Sequence, residues 1–235
     1  FPNLYISNDI WGKQNWNFTF DNSLETTGNI ELLGNVNLVL PTGATGDLTI
    51  GRNLIMFENG SGGGAQVNYG NTGIRRKIVV RGDLLMKNSN SIIQVLNPNA
   101  TAPLVDHELH VEGNIVQGTS TLSSTGLDLW SGDNNDRITL YLDGPNSMTY
   151  NRVNGTVPDL YRLVVSKGNN QSTTAQFNTD YNLNGLTSGV GVAKALELRN
   201  GTFISNPSAG HILNLTTGND YFDIPSTAGL EIKRG

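Results

Sequence analysis

The chain contains no cysteine, so neither a disulfide nor a thiolate zinc site can hold it together. An oxidising exterior stays compatible with that absence if repetition supplies the stability. Charge is sparse, with 15% of residues charged and a net charge of −5. That balance disfavours nonspecific nucleic-acid binding, which requires a basic stripe. No run approaches 18 consecutive apolar residues, so no segment reads as a membrane-spanning helix. A helical apolar stripe is missing too. The nearest approach, Val192 to Arg199, turns to strict alternation at Leu196-Glu197-Leu198 and ends at Asn200-Gly201. A helical bundle is thereby excluded. The chain opens on Phe1-Pro2-Asn3 and stops at Lys233-Arg234-Gly235, as expected of a segment of a longer protein.

What is plentiful is turn chemistry, with 28 glycines and 31 asparagines. Between the turns lie short apolar alternations, the pattern of half-buried strands. The clearest are centred on a glycine: Ile30 to Leu38 around Gly34, Ile78 to Met86 around Gly82, and Leu109 to Val116 around Gly113. Alternate strand residues share a face, which assigns Ile30, Leu32, Val36, Leu38, Ile78, Val80, Leu84, Leu109, Val111 and Ile115 to one buried face. Gly51, Gly82 and Gly113 recur every 31 residues. One strand-rich unit per such interval predicts a stacked solenoid.

The expected fold is all-β, a right-handed parallel β-helix of roughly eight to ten coils, each of about 22–31 residues. At about 4.8 Å per coil the rod would be about 40–50 Å long. The alternative is a pair of β-sandwiches, but there the Gly-Asn or Gly-Asp step would separate two paired runs, whereas here it falls within one. A single solenoid is expected, with residues 1–27 as an aromatic N-terminal cap or junction and 28–235 as coils. The Asn or Asp after each central glycine either stacks as a ladder or takes up a left-handed backbone conformation, and the second is expected.

Two segments break the rhythm, Glu58 to Lys77 and Asn97 to His107, and are expected to project as loops. Arg75-Arg76-Lys77 reads as a solvated approach to a strand. Asp133-Asn134-Asn135-Asp136 reads as a polar turn, with Asp133, Asn135 and Asp136 as the candidate Ca²⁺ ligands. No other cofactor is expected. Glu108, His110 and Glu112 share one strand face and read as exposed polar surface. Trp16, Phe18 and Phe20 alternate and are expected to plug the end of the core. Trp11, Trp16 and Trp130 are the aromatic candidates for stacking on sugar rings. A galacturonan hydrolase would need carboxylates on adjacent coils to protonate the leaving oxygen and activate water. Asn178-Thr179-Asp180 matches the first piece of that family's pattern, but residues 181–209 hold Glu197 as their one carboxylate. No catalytic residue is assigned.

The C-terminal half carries a family resemblance. Leu160-Tyr161-Arg162-Leu163-Val164-Val165-Ser166-Lys167-Gly168-Asn169-Asn170 resembles a phrase common in large secreted surface proteins of the Bacteroidetes. Phe177 to Leu186 is similar to their next phrase, and Leu196 to Ile204 to one of their coils. Such proteins are typically exported by the type IX secretion system, and their passengers are expected to be right-handed parallel β-helices. The resemblance implies a structural or adhesive, non-catalytic segment of a secreted, cell-surface protein. Its implied partners are neighbouring domains of the same polypeptide, other copies, secretion or outer-membrane components, and glycans. The competing reading is a carbohydrate-active or glycan-binding β-helix of the lyase or hydrolase kind.

Overall fold

The computed structural model describes residues 1–8, 16–41, 43, 45–57, 64–70, 73–96, 104–132, 135–185, 195–208 and 222–233, and among them there is no helix. Three short strands make one coil. Coil one runs through Leu4–Asn8, Trp16–Thr19 and Leu24–Thr26, and coil two through Ile30–Gly34, Val36–Val39 and Leu48–Ile50. Coil three follows as Leu54–Phe57, Gln66–Tyr69 and Lys77–Val80, and coil four as Leu84–Met86, Ile92–Val95 and Asp106–Val111. Coil five is Ile115–Gln117, Gly126–Asp128 and Arg137–Leu142, and coil six is Met148–Arg152, Asp159–Leu160 and Arg162–Ser166. Coil seven is Thr174–Phe177, Asn182–Leu183 and the first half of Leu196–Ser205. The second half of that strand and then Ala228–Ile232 extend the first face.

Each strand pairs in parallel with its counterpart one coil away, which builds three faces around one core. The second face is a seven-stranded sheet. Its ends are six steps apart, about 29 Å at ~4.8 Å per step. The chain is thus a parallel β-helix whose described strands make seven coils, about six turns from the first to the last, against the eight to ten expected. Equivalent residues at the corner between the third and first faces lie 26, 24, 30, 31 and 35 residues apart.

The all-parallel pairing rules out the sandwich alternative. The described residues among 1–27 are also part of the stack, since Leu4–Asn8 registers on Ile30–Gly34 and Trp16–Thr19 on Val36–Val39. Phe18 and Phe20 pack partly buried against the core. Trp16 stays 56% exposed, with no strand on its outer side among the described residues. The segment expected as one loop from Glu58 to Lys77 contains a strand of the second face, Gln66–Tyr69, whose Val67 and Tyr69 are fully buried. Residues 97–103, the heart of the second expected loop, lie outside the described residues.

All ten residues assigned to the buried face have no exposed surface. Val80 registers on Val111, and Leu84 on Leu54 and Ile115. They line the core from three faces, not one. Ile30, Leu32, Leu84 and Ile115 are on the first face, Val36 and Leu38 on the second, and Ile78, Val80, Leu109 and Val111 on the third. The Gly34 segment therefore crosses a different corner from the Gly82 and Gly113 segments. Its glycine answers a different demand as well, a left-handed φ of 78°. Gly82 and Gly113 are glycines because the coil beneath is close. A Cβ on Gly82 would lie 2.4 Å from Asn53 Oδ1 and 2.8 Å from the Arg52 carbonyl, and one on Gly113 would lie 2.5 Å from the Gly82 carbonyl.

Asp83 and Asn114, which follow Gly82 and Gly113, belong to a ladder, contrary to the expectation of left-handed backbone. Among the described residues Asn90 is the only non-glycine with positive φ. At the corner between the third and first faces, the Asn3 side-chain oxygen accepts the Asn29 N–H at 2.8 Å, and Asn29 accepts the Asn53 N–H at 3.1 Å. Asn53 accepts the Asp83 N–H at 2.8 Å, Asp83 the Asn114 N–H at 2.7 Å, and Asn114 the Thr149 N–H at 2.9 Å. Ser147 Oγ continues the ladder to the Thr174 N–H at 3.0 Å. A corner N–H has no partner in a strand ladder, and leaving it unpaired would cost about 1–3 kcal/mol. Further along the same edge Lys167 is buried, and its ammonium donates to the carbonyls of Glu112 and Asp143. Burial lowers its pKa to about 8, with the nearby Asp143 and Glu112 charges opposing the shift.

Three substitutions test this packing. Gly82→Ala is expected to lower the free energy of unfolding by about 2 kcal/mol, whereas Gly43→Ala, whose Cβ meets nothing nearer than 4.0 Å, should stay within about 0.5 kcal/mol of the parent. Urea unfolding reads both, and equal effects would contradict the close-stacked corner. Val111→Asp places a charge in the continuous core and is expected to abolish cooperative unfolding.

Candidate functional site

Two outward regions carry enough polar chemistry to be compared. The first is the third face. Arg75 pairs with Glu108, Arg137 with Asp106, and Arg162 with Glu197. Arg199 Nε also reaches Glu197 Oε1 at 2.6 Å. The two imidazole nitrogens of His110 face Asp143 and Glu108, the latter at 3.2 Å, and its ring stacks on Tyr141 with centroids 4.2 Å apart. Burial alone would raise the Glu197 carboxyl, but Arg199 and Arg162 outweigh it and hold the carboxyl below its usual range. These groups satisfy one another from coil to coil. The polar face expected from Glu108, His110 and Glu112 is real at Glu108 and His110, but it is a charge zipper and not loose solvated surface.

Arg76 departs furthest from its reading. It is 2% exposed, folded into the corner between the second and third faces, where it donates to the carbonyls of Pro41 (2.8 Å) and Gly43. The buried His107 beside it accepts the Arg76 backbone N–H on Nδ1 at 3.0 Å, so the proton of the neutral ring lies on Nε2. Burial, with Arg76 and Arg75 nearby, lowers the His107 pKa to about 4.

The second region is a cleft of about 90 Å³ on the second face, where it turns toward the third between coils four and five. Gln94, Asp128, Trp130, Ser131 and Asp136 line it, over an apolar floor of Val95 and Leu129. Asp128 follows from the alternation Gly126-Leu127-Asp128, which buries Leu127 and turns the carboxylate outward. Asp159 of the next coil is in register with it. Burial raises the Asp128 carboxyl and the adjacent Asp159 charge raises it further. Asp159 itself accepts an Asn184 amide hydrogen bond at 2.6 Å. Asp136 is 1% exposed. Its Oδ1 accepts the Val105 N–H at 2.8 Å, while its buried Oδ2 has no partner, and the buried Trp130 indole N–H has none either.

The remaining sequence candidates fall as follows. Trp11 and Asp133 lie outside the described residues. Asn135 donates its amide N–H to the Ser131 carbonyl at 2.6 Å, and Asp136 accepts the Val105 N–H on Oδ1 at 2.8 Å. Among the described residues no three His, Cys, Asp or Glu side chains group to hold a metal ion. Asp180 is engaged by the Ser208 N–H and hydroxyl, both at 2.8 Å, and by Arg152. Of the two described tryptophans, Trp130 lines a cleft and Trp16 stands exposed. The Asp128–Asp159 pair went unread because its members are distant in sequence, yet the 31-residue glycine interval, added to Asp128, arrives at Asp159.

No protein-family model matches the chain, and no curated protein or solved structure is significantly similar to it.

His107 supplies a pH test. Its folded pKa lies below the ordinary 6.5, so its contribution is intact above pH 6.5 and is lost as the pH falls toward 4. Full protonation is expected to remove about 3 kcal/mol. Urea midpoints between pH 7 and pH 4.5 should fall more steeply for the parent than for His107→Gln. Parallel pH profiles would contradict the buried neutral ring.

Proposed function

We propose that the chain is a structural or adhesive, non-catalytic segment of a secreted, cell-surface protein. The observation that supports it is the corner ladder from Asn3 to Thr174, in which the polar side chain of one coil caps the backbone of the next. A residue held in that way serves rigidity and repetition. The resemblance of residues 160–170, 177–186 and 196–204 to surface proteins of the Bacteroidetes agrees with the reading, with type IX export as the implied route. Its partners are then adjoining domains of the same polypeptide, other copies, or outer-membrane components.

A glycan-binding β-helix is the second reading, favoured by the cleft at Asp128, Trp130 and Asp136.

Antibodies raised against the chain are expected to label intact, unpermeabilised cells of the source organism. The purified protein is expected to leave uronic-acid and neutral polysaccharides uncleaved in a reducing-end assay. Labelling only after permeabilisation would overturn the surface role. Turnover that disappears in Asp128→Asn or Asp159→Asn would replace the structural reading with a catalytic one.

A further inference from the structure

We infer that the cleft between coils four and five is a binding site for one neutral saccharide residue. This rests on the glycan-binding reading and narrows it to a place and a class of ligand. The argument begins with two groups that the fold leaves without partners. Asp136 Oδ2 is buried in a residue that is 1% exposed and accepts no hydrogen bond, although Oδ1 of the same carboxylate is held at 2.8 Å by the Val105 N–H. Trp130 Nε1 is buried and donates to nothing. One is an acceptor and the other a donor, and both belong to residues that line the same cleft, just beneath its surface. Each would cost free energy in the empty protein unless water or a ligand satisfied it.

The other lining groups define the class. Gln94 brings an amide that donates and accepts, Ser131 a hydroxyl that does both, and Asp128 a second carboxylate. A metal cation would use the oxygens and leave the Trp130 N–H unanswered. An anionic sugar would meet Asp128 and Asp136, with Asp159 stacked on Asp128 one coil away. Adjacent hydroxyls of a neutral pyranose donate to carboxylates and accept from N–H groups at once. The cleft is small, about 90 Å³, and open on one side, so it would hold one edge of a single sugar ring and leave the rest in solvent. Val95 and Leu129, 8% and 1% exposed, offer an apolar floor for the C–H face of that ring.

The test is ligand-observed NMR and calorimetry on the whole chain with the methyl glycosides of glucose, galactose and mannose, N-acetylglucosamine, galacturonate and CaCl₂. At least one neutral sugar is expected to bind and galacturonate is not. Asp136→Asn keeps an oxygen for the Val105 N–H but replaces the free acceptor with a donor, and about a tenfold loss of affinity is expected. Trp130→Phe keeps a ring but removes the donor, with about a fivefold loss expected. Circular dichroism melts show whether each variant remains folded. If Asp136→Asn fails to fold, Trp130→Phe decides alone. Neutral-sugar binding that survives both substitutions overturns the cleft while leaving a glycan-binding role. Absence of any saccharide binding overturns both, and binding of Ca²⁺ alone overturns the saccharide assignment.

Discussion

Everything in this molecule answers to the fixed distance between parallel strands. A coil is never more than about 4.8 Å from its neighbour, so whatever stands at one position meets its counterpart above and below. Inside, that condition gives Val80 on Val111 and Leu54 on Leu84 on Ile115. At the corner it admits only glycine at Gly82 and Gly113, because a Cβ would enter the neighbouring coil. The same distance brings a side-chain oxygen within reach of the next coil's backbone N–H, so crowding and hydrogen bonding have a common cause.

The outer faces show the same condition working on charge. Like charges in register repel, so a stack is stable when signs alternate or when donors meet acceptors. The third face does this with arginines and carboxylates on successive coils and with His110 between two acids. The second face breaks the rule where Asp128 registers on Asp159, and there the carboxyl is pushed upward. The exception adjoins the cleft whose carboxylate oxygen and indole N–H have no partners within the protein.

Much of the fold was legible because the core repeats in the simplest way available. Alternating Ile, Leu and Val beside recurring glycines mark the strands, and the 31-residue interval marks the coil. The length of each coil was not legible, since intervals between 24 and 35 residues are absorbed in corners that have no apolar pattern. Arg76 reads as solvated because its sequence neighbours are charged, and its burial depends on the carbonyls of Pro41 and Gly43 a coil earlier. The cleft shows the same limit. Asp128 and Asp136 appear in sequence as turn residues, and only the register supplies Gln94 and Asp159 beside them.

The corner ladder also gives the rod a direction. At every rung the earlier coil presents the side-chain oxygen and the later coil the backbone N–H, from Asn3 onward to Thr174. The sense never reverses. The two sides of each rung are therefore chemically unlike, and along this corner the stack has a polarity, as a screw thread does, that turning the rod end for end would reverse.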